Sequence, residues 1–237
     1  MIDLNDLIEY DRAVTLSVNG SNSIFWDGFS SVFTTTVVWI PLAVMLLYMF
    51  IRNNNIHKFI WLVIILAITV FLCDQLSSSL CKPYFARFRP TQDVDILELV
   101  DTVNGYRGGK FGFISSHAAN SFGISVFLIL LIRDNIFGLS VISWAIINSL
   151  IRSYIGVHFV GDIVCGAIAG SIIGSISYLV FRYITRNQNS FSSHFSVILF
   201  TKSGYQYSDV RIFTFLLYST YVFIIFFTLI KQGIYAF

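Results

Sequence analysis

Apolar residues in this chain are collected into long runs, with polar residues pushed to the ends of those runs or confined to a few short stretches. A helix needs about 20 mostly apolar residues to cross a bilayer core. Six segments approach or meet that length, at about 32–51, 59–80, 114–132, 136–155, 159–181 and 212–230, the third being the shortest. The pattern therefore predicts an all-α fold, an integral membrane helical bundle of about six transmembrane helices. Ahead of them, Leu4, Leu7, Ile8, Val14 and Leu16 recur at roughly helical spacing. This suggests an amphipathic N-terminal helix lying along the membrane interface, or a short soluble cap on the bundle. Asp3, Asp6, Glu9 and Asp11 stand where a signal peptide would carry a basic start. The stretch 183–211 reads as a polar connector, interrupted by the apolar SVILF of residues 196–200, which would dip into the interface.

Composition agrees with this reading. Hydrophobic residues make up 56% of the 237 and charged residues 12%, against roughly 25% charged in soluble domains. A net charge of +2 with no basic run excludes a nucleic-acid partner. Cys73, Cys81 and Cys165 fit neither a disulfide framework nor a zinc spacing, and read as small packing residues. Gly166, Gly170 and Gly174, a small residue every fourth position of the fifth span, would let a neighbouring helix approach closely. Arg52, Lys58, Arg133, Arg182, Arg186, Lys202 and Arg211 fall in alternate connections, which assigns those connections to the cytoplasm. Both termini, the 81–113 loop and the turn near 152–158 then share the opposite side.

Three polar clusters converge on that opposite side. CKPYFARFRP closes the second span, GFISSHAANS opens the third, and IRSYIGVHFVGD joins the fourth to the fifth. Lys82, Arg89 and Arg152 supply only hydrogen-bond donors, which suits an oxyanion of several charges such as phosphate. Ser115 and Ser116 stand at a helix start, where free backbone N–H groups favour an anion. His158 and Asp162 are four apart on one helical face, so the carboxylate can fix the imidazole tautomer. His117 comes from a different helix, which leaves one histidine to attack and one to protonate a leaving group. No further ligand accompanies His158 and Asp162, so neither a metal nor another cofactor is expected. Arg87, Arg107 and Lys110 read as ordinary interfacial anchors.

These residues resemble the three-part signature of the type 2 phosphatidic acid phosphatase (PAP2) superfamily, in its transmembrane branch. The first part is complete, as Lys82, six residues, Arg89 and Pro90. The second appears as ISSH at 114–117, and the third as Ile151-Arg152, five residues, His158, three residues, Asp162. Ile114, Ser116 and Ile151 replace the family's Pro, Gly and Ser. The resemblance implies one membrane-embedded phosphatase domain over 1–237, with a motif core at about 74–170 and an additional C-terminal span at about 212–230. It implies metal-independent hydrolysis through a phosphohistidine. His158 would be the nucleophile, Asp162 its orienting group and His117 the general acid. Lys82, Arg89 and Arg152 would bind phosphate, with Ser115 and the amide of Ser116. Ile151 would remove one hydroxyl from the phosphate contacts.

Asp74, inside the second span, is expected to act as counter-ion to Lys82 or Arg152. The loop from Thr91 to Phe113 is expected to cover the site, and its Arg107 and Lys110 to reach a sugar phosphate or second phosphate. The implied substrate is a membrane lipid phosphate: a phosphate of lipid A, undecaprenyl diphosphate, phosphatidylglycerol phosphate or phosphatidic acid. The implied location is a bacterial inner membrane with the site on its periplasmic face. A lipid phosphotransferase using the same site, and more distantly an anion transporter, are the rival readings.

Overall fold

The six long apolar runs form helices, and four helices begin on a side-chain cap, in the computed structural model of the chain, which describes residues 3–19, 23–186 and 199–233. Helix α1 spans Leu4–Asn19 and α2 spans Ile24–Phe33, with Ser23 accepting the Trp26 N–H as its N-cap. A 3-10 turn at Thr36–Trp39 leads into α3, Ile40–Asn53. Helix α4, Ile56–Asp74, starts on an Asn55 cap and continues through a π-helical segment, Gln75–Cys81, into a last turn, α5, Lys82–Phe85. Ser115 caps α6, Ser116–Ile132, and Asp134 caps α7, Asn135–Tyr154. Helices α8, Val160–Thr185, and α9, Tyr207–Lys231, complete the bundle.

Among the described residues, five helical stretches have the length and apolarity to cross a membrane, and α6 is a shorter apolar helix. Ile64, Phe71, Val164, Ile172, Phe215 and Phe227 are exposed on their outer faces. Such a surface is tolerable only where lipid rather than water surrounds it.

The expected span at 32–51 divides, because its first residues end α2 instead. Thr34 turns its hydroxyl back onto the Ser30 and Ser31 carbonyls and Thr35 onto Ser31, satisfying the end of α2. The connector expected at 183–211 is shorter than its polarity implied, since α8 runs to Thr185 and α9 starts at Tyr207. Of SVILF, only Leu199 and Phe200 lie within the described residues; Leu199 is exposed and Phe200 bridges to Gln206.

Helices α6 and α8 form the tightest pair in the bundle. A methyl group on Gly170 or Gly174 would overlap the backbone of Ala119 or Gly123. The glycine stripe is thus a packing device that brings two backbones together. A core of Leu42, Leu62, Phe127, Phe137, Val210 and Phe213 fills one half of the bundle. A second cluster joins Phe29, Val32 and Phe33 of α2 to Ile151, Val157 and Ile224.

Helix α1 is amphipathic, but it docks by its polar side. Leu4 and Leu7 are exposed, whereas Thr15 and Asn19 are buried. Asp11, Thr15 and Asn19, four residues apart, form one stripe. Asp11 accepts the Gly161 N–H at 2.8 Å and Thr15 the Val160 N–H at 3.0 Å. The Asn19 amide donates to the carbonyls of Asp101 and Tyr154 and accepts the Asp101 N–H. Helix α1 therefore clips the 86–115 loop to the α7–α8 junction.

Candidate active site

Four pieces of chain meet at the end of the bundle beneath α1: the end of α4–α5, the loop that follows it, the start of α6, and the α7–α8 junction. The junction is a tight reversal. The Val157 and His158 N–H groups both donate to the Arg152 carbonyl, at 3.1 and 3.2 Å, and Gly156 takes the left-handed conformation (φ 74°) that this turn needs. Arg152 and His158 are thereby held side by side.

His158 is 2% exposed and Asp162 is fully buried. Asp162 is the third residue of α8, and its Oδ2 accepts the Phe159 N–H at 3.1 Å, which closes the helix start. The same oxygen lies 3.4 Å from His158 Nδ1, a contact longer than a relaxed hydrogen bond. Nε2 is left as the ring nitrogen that can face a substrate. Burial lowers the His158 pKa below its ordinary value, opposed by Asp162, so the ring favours its neutral form. The Ser115 N–H donates to the Asp162 carbonyl at 3.0 Å, tying α6 to α8 at this point.

The cations come from three elements. Arg89 is fixed by the carbonyls of Phe111 (3.1 Å) and Val157 (3.3 Å). Arg152 has a buried Nε without an acceptor among the described residues. A buried guanidinium donor left open is costly unless an anion arrives to take it. Lys82 donates to Ser116 Oγ at 2.6 Å and to Ser78 Oγ at 3.2 Å. The hydroxyl that replaces the expected glycine is thus an acceptor for Lys82, and Ser77 also donates to it at 2.8 Å. His117 is exposed at the mouth, within electrostatic reach of Arg152, His158, Lys82 and Arg89. Ser115 caps α6 through the Ala118 N–H and is itself buried. An imidazole that burial keeps neutral is therefore gathered with three cations and a second histidine at one end of the bundle.

Asp74 acts on Lys82 through Ser78 and through its charge rather than by a direct ion pair: Ser78 donates to its carboxylate at 3.1 Å and accepts from Lys82 at 3.2 Å. Arg107 and Lys110 are exposed on the loop, with Lys110 over the Phe88 and Phe111 rings. Their loop does cover the site: a side chain added at Gly112 would meet Asp162 Oδ2. Ile151 packs among Phe29, Val32 and Phe33, facing the apolar cluster rather than phosphate.

Arg87, read as an interfacial anchor, is instead central. Its Nη1 donates to Asp162 Oδ1 at 2.9 Å and its Nη2 to Asp11 Oδ2 at 2.7 Å, while its guanidinium lies 4.1 Å from the Phe159 ring centre. A signal for it was present in RFR, since residues two apart in an extended segment share a face. Asp11 was legible only as part of the Asp11–Thr15–Asn19 stripe.

Comparison with known proteins agrees with the site. Residues 58–186, more than half of the chain, match the PAP2 superfamily model. A lipid A 4'-phosphatase of Bacteroides thetaiotaomicron is 40% identical over 185 residues, covering 78% of this chain and 82% of the relative. A lipid A 4'-phosphatase of Porphyromonas gingivalis is 35% identical over 179 residues, covering 75% of each. No solved structure gives a significant match. With these matches and this geometry, the chain belongs to the PAP2 superfamily, as a membrane-embedded lipid phosphatase that hydrolyses phosphoric esters.

Proposed function

We propose that the chain removes a phosphate from lipid A, at the 4′ position, through a phosphohistidine on His158. The observation that carries the mechanism is the buried His158–Asp162 pair set among Lys82, Arg89 and Arg152, with His117 at the mouth. The two lipid A 4'-phosphatases that cover most of the chain support the substrate.

In the first step His158 Nε2 attacks phosphorus while the P–O bond to the lipid breaks. His117 gives its proton to the departing sugar oxygen, and Asp162 stabilises the positive charge that builds on His158. In the second step His117 takes a proton from water, whose oxygen attacks the phosphohistidine and releases inorganic phosphate and neutral His158. The equatorial oxygens carry the developing charge throughout, and Lys82, Arg89 and the open Arg152 Nε are the groups that stabilise it. Ser115 contributes through the capped start of α6, and the amide of Ser116 donates beside it. Arg87 is a positioning residue, because it holds Asp162 without touching phosphate. The site faces the periplasm of a bacterial inner membrane, a reading supported by the alternate placement of Lys and Arg in the connections.

The test uses purified protein with lipid A carrying phosphates at both the 1 and 4′ positions. Free phosphate and the 1-monophosphate lipid are the expected products, and His158→Ala and His117→Ala each abolish them while remaining folded. Hydrolysis persists in EDTA and stops with vanadate. Full dependence on added magnesium, or turnover by His158→Ala, refutes the mechanism. Loss of the 1-phosphate alone refutes the substrate assignment, and phosphate release that needs an acceptor lipid refutes hydrolysis.

A further inference from the structure

The membrane surface opposite the catalytic cluster holds a cavity of about 530 Å³, lined by Lys58, Arg133, Arg182, Arg186 and Lys202. These five cations come from the first turn of α4, the C-cap of α6, the end of α8 and the turn before α9. No acidic side chain lines it among the described residues, and residues 187–198 contain no Asp or Glu in sequence.

Elsewhere on the same surface cations are matched. Arg52 pairs with Asp209 at 2.9 Å, and Arg211 pairs with Asp134 at 3.1 Å. Charges that serve only to orient the chain in the membrane need no shared cavity and gain from being spread around the bundle. Here they line one concavity with firm walls. Tyr205 is 1% exposed in the wall, Asn54 donates to its hydroxyl at 3.0 Å, and Ser203 donates to the Ile132 carbonyl at 2.6 Å. The size falls in the ordinary range for small-ligand sites, about 300–1,000 Å³. Its depth, at the very ends of α4 and α8, is the level of lipid headgroups.

We propose that this cavity binds a phosphate-bearing anion, separate from the substrate phosphate, with the headgroup of an anionic phospholipid in the adjoining leaflet or a soluble polyphosphate as the two sources of that chemistry. Three or more cations satisfy the phosphate oxygens, while Asn55, whose Oδ1 caps α4, keeps its amide N–H groups for the wall.

The experiment compares the wild-type chain with a Lys58→Gln/Arg182→Gln/Lys202→Gln variant and a charge-preserving Lys58→Arg/Arg182→Lys/Lys202→Arg variant. Each is placed in nanodiscs of phosphatidylcholine with or without phosphatidylglycerol, and separately in neutral detergent with inorganic pyrophosphate. Bound phosphate species are read by native mass spectrometry and by thermal shift. The catalytic cluster is common to all three proteins, so the difference between them belongs to the cavity. Binding weakens on the order of 100-fold in the Gln variant, at roughly fivefold per cation near a headgroup, and persists in the charge-preserving one. Loss in phosphatidylglycerol discs identifies the lipid source; loss confined to pyrophosphate identifies the soluble one. Equal binding by wild type and the Gln variant in both arms overturns the proposal, as does loss in the charge-preserving variant. Hydrolysis in neutral detergent, unchanged in the Gln variant, keeps this result distinct from any failure of the catalytic reading.

Discussion

Replacing Arg87 with Ala isolates the effect of aiming the nucleophile from the effect of binding phosphate. Asp162 is fully buried, and its Oδ1 receives the Arg87 guanidinium at 2.9 Å while Oδ2 serves Phe159 and His158. A hydrogen bond to a charged group contributes about 1.5–3 kcal/mol. If that amount is lost because the His158 ring is no longer held on the line of attack, turnover falls roughly 10- to 100-fold. KM should change little, because Arg87 bonds to Asp162 and Asp11 rather than to substrate. Losing a positive charge beside Asp162 also leaves its carboxylate freer to stabilise protonated His158. The acid limb of the rate profile should therefore move to higher pH. The assay is phosphate release from lipid phosphate in detergent micelles, measured across pH, with thermal melting as a check on folding. Asp11→Asn should follow the same pattern more weakly, since it acts one bond further out and Arg87 is about a quarter exposed. Wild-type turnover in Arg87→Ala, or reduced turnover with an unmoved acid limb, would refute the positioning role.

The His158 ring, lowered in pKa by burial, is neutral at pH 7; kcat/KM should therefore hold down to the ordinary imidazole range, near ~6.5, and fall only below it. An acid limb centred above pH 7 would contradict that environment. Ile151→Ser restores the family residue yet places a hydroxyl among Phe29, Val32 and Phe33; it should destabilise the chain by about 2–4 kcal/mol without raising turnover, read by melting and by rate. Ser116→Ala removes the 2.6 Å acceptor of Lys82 and should raise KM roughly three- to tenfold through a looser cation, at about 1 kcal/mol for the bond; a lower KM would mean that the hydroxyl competes with phosphate.

The bundle was legible because lipid imposes a simple rule: long apolar runs must be helical. The candidate site was legible because charge beside such runs is expensive, so His158, Asp162, Arg89 and Arg152 stood out against their surroundings. What stayed hidden involves partners distant in sequence. Arg87 looks like any cation at a membrane surface until Asp162 and Asp11 are brought to it. The spacing of Leu4 and Leu7 marked α1 as amphipathic, but it could not show that the polar stripe of Asp11, Thr15 and Asn19 is the side that docks. Ile151 looked like a missing phosphate contact because spacing alone cannot tell which way a side chain faces at a helix end. The break after α2 was equally invisible to hydropathy, since Thr34 and Thr35 satisfy the last carbonyls of the helix with their own hydroxyls.

The clip made by α1 also sets an order of events during biogenesis. Asp11 and its partner Gly161 are 150 residues apart, so α1 leaves the ribosome well before the segment on which it docks. At about 5–20 residues per second, it waits roughly eight to thirty seconds for the start of α8 to be synthesised. Until then Arg87 lacks Asp162, and the catalytic pair does not exist. On the proposed mechanism a nascent chain that stops short of α8 is inert, and the membrane meets a working phosphatase only after most of the bundle has been inserted.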